Sequence, residues 1–207
     1  MLHVDELGHV DAERIIVKIF SKIQHGRMDK VNGLVVHQTD SPTASSTFNS
    51  YQNANANGAH FLIDKDGTIY QTASLYKMTW HVGYLQSRCL LTKKCAPTEF
   101  KTMDVLERSL GHTLKVHQRE TQKVFPDRFP DNTDSIGVEI VGESKKIDDI
   151  KTGKGKDVYE SVTSQQNDAL KWLVKELVET LSVSMNEIYR HPEIGRKNDT
   201  EASSATW

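Results

Sequence analysis

The sequence predicts an α/β fold, on the strength of three observations. The continuous apolar run Leu34–Val36 is typical of a strand buried on both faces. Asp66-Gly67 lies between two β-rich stretches, which is a strong signal for a hairpin. After Thr163, apolar residues recur at helical spacing and predict a long amphipathic helix. Buried strands and a helix able to cover them in one chain define the class.

Length and composition limit the organisation and the partners. The 207 residues suit one domain, 1–207, with an insertion at about 84–134. Hydrophobic residues make up 37% and charged residues 26%, as in ordinary globular proteins. A net charge of −2 predicts no nucleic-acid partner and no anionic membrane partner. No apolar run approaches the roughly 20 residues of a membrane span.

The first third of the chain predicts a helix, a strand and a second helix. Isoleucines recur at helical spacing over Val10–Ile23, with Asp11 placed to cap the start and Gly26 following the end. The buried strand covers Val31–Gln38. A polar helix is expected over Thr43–Ala56, after turn-forming residues.

The middle of the chain predicts the hairpin and then the insertion. The hairpin strands are Phe61–Asp64 and Thr68–Thr72, and Met78–Gly83 resembles a further strand end. The insertion interrupts this pattern with two predicted helices, Glu99–Leu110 and Thr113–Val124. It is expected to form one side of a groove or a docking surface for a partner.

The two cysteines, Cys89 and Cys95, both lie in the insertion. They are too few for a disulfide scaffold, and their spacing is unlike that of zinc modules. They are expected to pair if the protein works in an oxidising compartment, although the spacing does not require it. A second metal site with the nearby His112 and His117 is a weak alternative.

The last third predicts a strand, a charged loop and the most secure helix. Ser135–Gly142 alternates as a strand and places Glu139 on the face opposite Ile136, Val138 and Ile140. A charged loop is expected over Ser144–Tyr159. Thr163 and Gln166 then form a capping-box pattern at the start of the long helix.

A candidate metal site follows from residues at strand and loop ends. His191 and Asp199 share a C-terminal loop, where Pro192 blocks helix continuation. Catalytic zinc needs three protein ligands, and His37 at the end of a buried strand supplies the third. Two plainer interpretations stay open: His37 as a hydrogen-bonded strand-end residue, and Glu139 as an exposed residue of an open sheet face.

The chain resembles the type 2 N-acetylmuramoyl-L-alanine amidases, whose fold is shared with phage amidases and peptidoglycan recognition proteins. The resemblance covers about Val31 to Asp199 apart from the insertion, and a central mixed β-sheet flanked by helices is the fold it implies. Five stretches match in order: Leu-Val-Val-His-Gln-Thr, Ala-His-Phe-Leu-Ile-Asp-Lys-Asp-Gly-Thr-Ile-Tyr-Gln, Trp-His-Val-Gly, Ser-Ile-Gly-Val-Glu-Ile-Val-Gly, and His-Pro-Glu-Ile-Gly-Arg-Lys-Asn-Asp.

The resemblance implies a role for each matching residue. The implied zinc ligands are His37, His191 and Asp199; the implied catalytic residues are Glu139 and Lys197; Trp80 and His81 match a pair that lines the substrate cleft; and His60 matches a histidine that is not a ligand. Two positions depart from the family pattern. Gln38 stands where many members have a second histidine, and Asp199 is not followed by Pro-Gly.

The implied activity is zinc-dependent hydrolysis of the amide between N-acetylmuramic acid and the L-alanine of the stem peptide. The implied partners are peptidoglycan or muropeptides. The alternative is a peptidoglycan-binding module without catalysis, which would be expected to lack a zinc ligand. The amidase, unlike the binding module, would be bacteriolytic or antibacterial when it reaches a cell wall.

The N-terminal stretch Met1–Leu7 shows no signal peptide, so a cytoplasmic location in the producing cell is expected. Three routes fit an enzyme of this kind: recycling of soluble wall fragments, phage lysis, or delivery to a periplasm by a non-classical route. The last would call for an immunity protein as a partner.

Overall fold

A computed structural model describes residues 1–148 and 155–207. The strands are β1 (His3–Val4), β2 (Val10–Asp11), β3 (Ile15–Val17), β4 (Gly33–Gln38), β5 (Phe61–Ile63), β6 (Ile69–Gln71), β7 (Ser135–Ile140), β8 (Ser144–Asp148), β9 (Gly155–Tyr159) and β10 (Ile188–Arg190). The helices are α1 (Ala44–Ser50), α2 (Arg88–Thr92), α3 (Pro97–Glu107), α4 (His112–Thr121), α5 (Ser164–Leu181) and α6 (His191–Ile194).

The six-stranded central sheet has the order β10-β4-β7-β5-β6-β3. The pairs among β10, β4, β7 and β5 are parallel, β5 and β6 form the antiparallel hairpin, and β3 joins β6 in parallel. This is a mixed sheet with helices packed on it. The predicted fold class is therefore confirmed.

One face of the sheet packs against helix α5, and the other face carries the candidate site residues. On β4 and β7, alternate residues such as Leu34 and Ile136 join Leu170 and Leu173 of α5 in the main core. The residues between them point to the other face, since side chains alternate along a strand. In the parallel register His37 is paired with Glu139, so both project from that second face.

Helix α5 begins with the predicted capping box. The Thr163 side chain accepts a hydrogen bond from the backbone N–H of Gln166, and the Gln166 side-chain oxygen accepts one from the backbone N–H of Thr163. The apolar stripe of the helix then covers the sheet. The helix predicted from the sequence pattern is confirmed over Ser164–Leu181.

The helix predicted for Val10–Ile23 is wrong. The segment forms β2, β3 and a short 3-10 turn at Ser21–Ile23. Ile15 is buried in β3, whereas Ile16 and Val17 are exposed. β-branched residues favour an extended edge strand, and the isoleucine spacing matched a helix by coincidence.

Two further segments differ from expectation. Residues 78–83, all described, form no strand. Residues 144–148 and 155–159, expected in a loop, form the antiparallel hairpin β8–β9. The rest of that expected loop, 149–154, lies outside the described residues.

Segment 84–134 contains α2, α3 and α4 and is described throughout. Cys89 in α2 forms a disulfide with Cys95, which lies just before α3. The segment is also fastened to the C-terminal loop: Leu85 forms a β-bridge with Gly195, and Arg196 pairs with Glu107 at 2.5 Å. That the segment is an insertion into a single domain stays a prediction.

Among the described residues, no helix is long and apolar enough to cross a membrane.

Candidate active site

Three buried ligand atoms face one another on the second face of the sheet. His37 Nδ1 lies 2.8 Å from His191 Nδ1, which lies 2.9 Å from Glu201 Oε1. The third side of the triangle, from His37 Nδ1 to Glu201 Oε1, is 3.4 Å. His37 comes from the end of β4, and His191 begins α6 directly after β10. Adjacent parallel strands thus bring both histidines to one edge.

The ring of His191 is held so that its lone pair faces the triangle. Its Nε2 lies 2.7 Å from the carbonyl oxygen of Val82, which can only accept a hydrogen bond. The Nε2–H therefore donates to Val82, and in the neutral ring the lone pair is on Nδ1. Gly195 makes this possible, because an added Cβ would stand 2.9 Å from His191 Cδ2 and 3.1 Å from the Val82 oxygen.

Glu201 takes the place that the sequence analysis gave to Asp199. The backbone turns between Asn198 and Glu201, where the N–H of Glu201 donates to the carbonyl of Asn198. This turn leaves Asp199 exposed and brings the Glu201 side chain inward, where it is buried. The structure joins His37 and His191 as expected, and it does not bring Asp199 to them.

The three ligand atoms are chemically suited to bind a cation. His191 Nδ1 and the Glu201 carboxylate are both acceptors, and acceptors 2.9 Å apart repel unless a positive charge lies between them. Zinc bound at about 2.0–2.1 Å by tetrahedral ligands places those ligands about 3.3 Å apart, close to the observed triangle. His37, His191 and Glu201 are also the group in the described residues that could hold a metal ion.

Burial and the neighbouring groups both shift the pKa values of the residues in this site. Burial, then the neighbouring His191, lowers the pKa of His37 to about 4. Burial alone would raise the pKa of Glu201, but the close approach of the His191 and His37 rings holds that pKa well below its usual range. These shifts favour the neutral ring of His37 and the ionised carboxylate of Glu201, the forms that bind metal.

Glu139 presents a free carboxyl oxygen beside this triangle. Its Oε2 is buried and has no hydrogen-bond partner. Burial, then the nearby Glu201, raises the pKa of Glu139 to about 8, while Lys197 opposes the shift. A buried carboxyl group with a raised pKa and an unused oxygen is a candidate acid or base.

A cleft of about 510 Å³ opens over the triangle. Its lining includes His37, His81, Glu139, His191, Lys197, Glu201, Trp80, Tyr51, Tyr159 and Asn132. Trp80 is 41% exposed, and its ring stacks on His25 with 3.6 Å between centroids. The exposed Lys197 supplies a positive charge. Within segment 84–134, Asn132 lines the cleft.

Of the two residues expected to line the cleft for substrate, His81 lies deeper than anticipated. It is 8% exposed, and its Nδ1 lies 2.9 Å from His37 Nε2. Sequence reasoning also missed Glu201, Tyr51 and Tyr159. No local signal marks the tyrosines, and for Glu201 the available signal was a second acidic residue shortly after Asp199.

The fold is that of an α/β protein with a candidate metal site, and the family follows from sequence comparison. The profile of the N-acetylmuramoyl-L-alanine amidase family, Amidase_2, matches residues 27–202. The chain belongs to this family, and membership supports peptidoglycan amidase activity. No protein with a curated description matches the chain by sequence.

Solved structures show the same fold at low identity. A crystal structure of a selenomethionine derivative of AmpD matches with TM-score 0.56 and 18% identity, covering 100% of this chain and 96% of AmpD. PlyL matches with TM-score 0.51 and 15% identity over 88% of this chain and 84% of its own. AmpDh3 from Pseudomonas aeruginosa matches with TM-score 0.51 and 19% identity, covering 96% of this chain and 61% of its own.

Proposed function

We propose that the protein is a zinc-dependent amidase that hydrolyses the bond between N-acetylmuramic acid and the L-alanine of the stem peptide. The observation that carries the proposal is the meeting of His37, His191 and Glu201 beside the free carboxyl oxygen of Glu139. Family membership supports the substrate class. A complete ligand set counts against a module that binds peptidoglycan without cutting it.

His37, His191 and Glu201 would hold the zinc ion. Two neutral imidazoles and one carboxylate leave the site with a net charge near +1. A bound zinc ion supplies Lewis-acid chemistry, polarising a carbonyl group and making a water more acidic. The remaining work falls to residues of the chain that face the cleft.

Glu139 is the proposed general base and acid. It accepts a proton from the attacking water and returns a proton to the leaving nitrogen, so that amide and water become a carboxylic acid and an amine. In the metal-free protein burial keeps this group protonated near neutral pH, with a pKa of about 8. A dication held by the neighbouring Glu201 would lower that pKa and free the base.

Lys197 is proposed to stabilise the negative charge that develops on the carbonyl oxygen. It lines the cleft, and its charge already acts on Glu139 and His37. Interactions of this type contribute roughly 3–4 kcal/mol to the transition state in other enzymes. Trp80 would offer an apolar surface to the sugar or the stem peptide.

The test measures stem-peptide release by mass spectrometry, with polymeric wall sacculi and soluble muropeptides assayed side by side. Wild-type protein is expected to release the intact peptide with its N-terminal L-alanine. Glu139→Gln should keep zinc and lose about 10²–10⁴-fold in turnover, because the amide cannot accept a proton. Lys197→Ala should also keep zinc and slow the reaction.

Zinc content is measured in every sample as the control. Wild-type protein that holds one zinc ion and cuts neither substrate would overturn the proposal in favour of the binding module. Full activity of Glu139→Gln would move the base to another group.

A further inference from the structure

A buried chain of hydrogen bonds leads from the backbone of β7 to the metal triangle. His81 Nε2 lies 3.4 Å from the carbonyl oxygen of Ser135 and 3.3 Å from the Ser135 hydroxyl. On the other side of the ring, His81 Nδ1 lies 2.9 Å from His37 Nε2. His37 Nδ1 is the atom that faces His191 and Glu201.

The direction of each hydrogen bond follows from the Ser135 end. A carbonyl oxygen can only accept, and the Ser135 hydroxyl already donates its proton to the carbonyl of Asp131 at 2.5 Å. Both oxygens around His81 Nε2 therefore accept, and Nε2 carries the proton. His81 Nδ1 is then the acceptor for the N–H of His37 Nε2, which leaves His37 Nδ1 with its lone pair.

The surrounding residues are shaped to hold the His81 ring in this position. Gly137 lies beneath the ring, and a Cβ there would stand 2.9 Å from both Cγ and Nδ1 of His81. The backbone N–H groups of His81 and Val82 both donate to the side-chain oxygen of Asn132, at 2.9 and 2.8 Å. Asn132 thus fixes the backbone at His81, and Gly137 packs against one face of the His81 ring.

We propose that His81 is a positioning residue for the metal site, which holds His37 in the tautomer whose Nδ1 lone pair points at the ion. His81 lines the cleft but is only 8% exposed, and both of its ring nitrogens have partners inside the protein, so this role differs from the substrate contact expected from the sequence. The inference rests on the proposed zinc site. The chain of hydrogen bonds from Ser135 through His81 to His37 is called the relay. In it, Ser135 accepts from His81, and Gly137 leaves the space that the His81 ring needs.

The direct test is nuclear magnetic resonance of histidines labelled with ¹⁵N, in metal-free and zinc-loaded wild-type protein. The expected spectrum shows His81 protonated at Nε2 and His37 protonated at Nε2. It also shows a scalar coupling across the hydrogen bond between His37 Nε2 and His81 Nδ1. A His81 ring protonated at Nδ1 would overturn the proposal, since it would donate to His37 and reverse the relay.

The second test measures zinc affinity by competition with a chelator. His81→Phe keeps an aromatic ring and removes the acceptor, and loss of such an outer partner typically weakens metal binding about 10–100-fold. His81→Gln restores a side-chain acceptor and should lose less. Trp80→Phe, a change in the adjacent residue outside the relay, should leave zinc affinity unchanged.

The outcomes separate this inference from the proposed function. If wild-type protein binds no zinc, the proposed function fails, while the tautomers of the metal-free protein still decide the relay. If zinc binds normally and folded His81→Phe has unchanged affinity, the relay is overturned and the zinc site stands. Should His81→Phe fail to fold, the wild-type spectrum decides the proposal without any variant.

Discussion

Glu201 and Asp199 lie two positions apart, and one turn of backbone decides which of them reaches the histidines. The hydrogen bond from the Glu201 N–H to the Asn198 carbonyl closes this turn. The Thr200 hydroxyl adds a contact to Asn198 Oδ1 at 2.8 Å. Sequence spacing could place a carboxylate in the loop, but the direction of each side chain depends on these local contacts.

The two carboxylates therefore make a matched pair for mutation. Glu201→Gln is expected to lose most zinc affinity, because a neutral amide replaces the carboxylate proposed as a ligand beside His191. Asp199→Asn removes the same charge two residues away and should keep zinc, since Asp199 is exposed. Zinc stoichiometry after dialysis measures both. Loss of zinc in Asp199→Asn with retention in Glu201→Gln would restore the assignment made from the sequence.

Strand β7 shows what an element contributes beyond its apolar pattern. The alternation of β7 predicted a strand with Glu139 on the face opposite its apolar residues. The parallel register pairs Glu139 with His37, so this face carries the candidate site. Gly137 in this strand also indicates that a side chain from elsewhere packs against the strand. The identity of that side chain, His81, could not be inferred without the tertiary structure.

Gly137→Ala tests this packing. The added methyl would also meet Ala59 Cβ at 3.0 Å, so the variant is expected to lose about 1–3 kcal/mol in free energy of unfolding. It should also displace the His81 ring. Gly155→Ala in β9 is the control, because among the described residues the nearest atom to its added Cβ is Asp148 Oδ1 at 3.9 Å. Urea denaturation of the metal-free variants gives the comparison, and equal stabilities would contradict the packing argument.

Across the elements, sequence patterns succeeded where one physical cause dominated. The buried β4, the Asp-Gly hairpin and the capped α5 each carry a single strong signal. The segment Val10–Ile23 failed because its isoleucines fit both a helical stripe and edge strands. Partners distant in the chain decided between the two, as β3 pairs with β6 some fifty residues later.

At the scale of the whole molecule, the second face of the sheet concentrates buried histidines. His37, His60 and His81 are all buried, and burial is the largest cause lowering the pKa of each. The pKa values of His37 and His60 fall to about 4. The fold can keep these rings neutral because each has hydrogen-bond partners inside the protein.

This arrangement predicts acid sensitivity of the metal-free protein. In the unfolded chain these histidines bind protons below about pH 6.5, whereas the folded protein resists protonation until about pH 4. The histidines should therefore lower the free energy of unfolding by roughly a few kcal/mol as the pH drops through that window, and Glu139, with its pKa raised to about 8, offsets part of this loss. Urea denaturation at pH 7.5 and pH 5 measures the change. His60→Gln should flatten the dependence, and equal stability at both pH values would contradict it.

Hairpin β8–β9 is tied to the loop that carries Glu201. The Tyr159 N–H donates to the Thr200 hydroxyl, and the Asn198 amide donates to the carbonyl of Asp157. Gln38, next to His37 on β4, reaches both parts: its amide nitrogen donates to the Glu160 carbonyl, and its oxygen accepts from the Ala202 N–H.

Occupancy of the site and order in the hairpin are consequently one linked equilibrium. A ligand that holds Glu201 also holds Thr200 and Asn198, and through them it slows local opening of the strand at Asp157 and Tyr159. Amide hydrogen exchange at Tyr159 would then report on binding of the proposed zinc ion. By the reciprocity of linkage, the free energy by which bound zinc would stabilise the ordered hairpin equals the free energy by which ordering of the hairpin would tighten zinc binding.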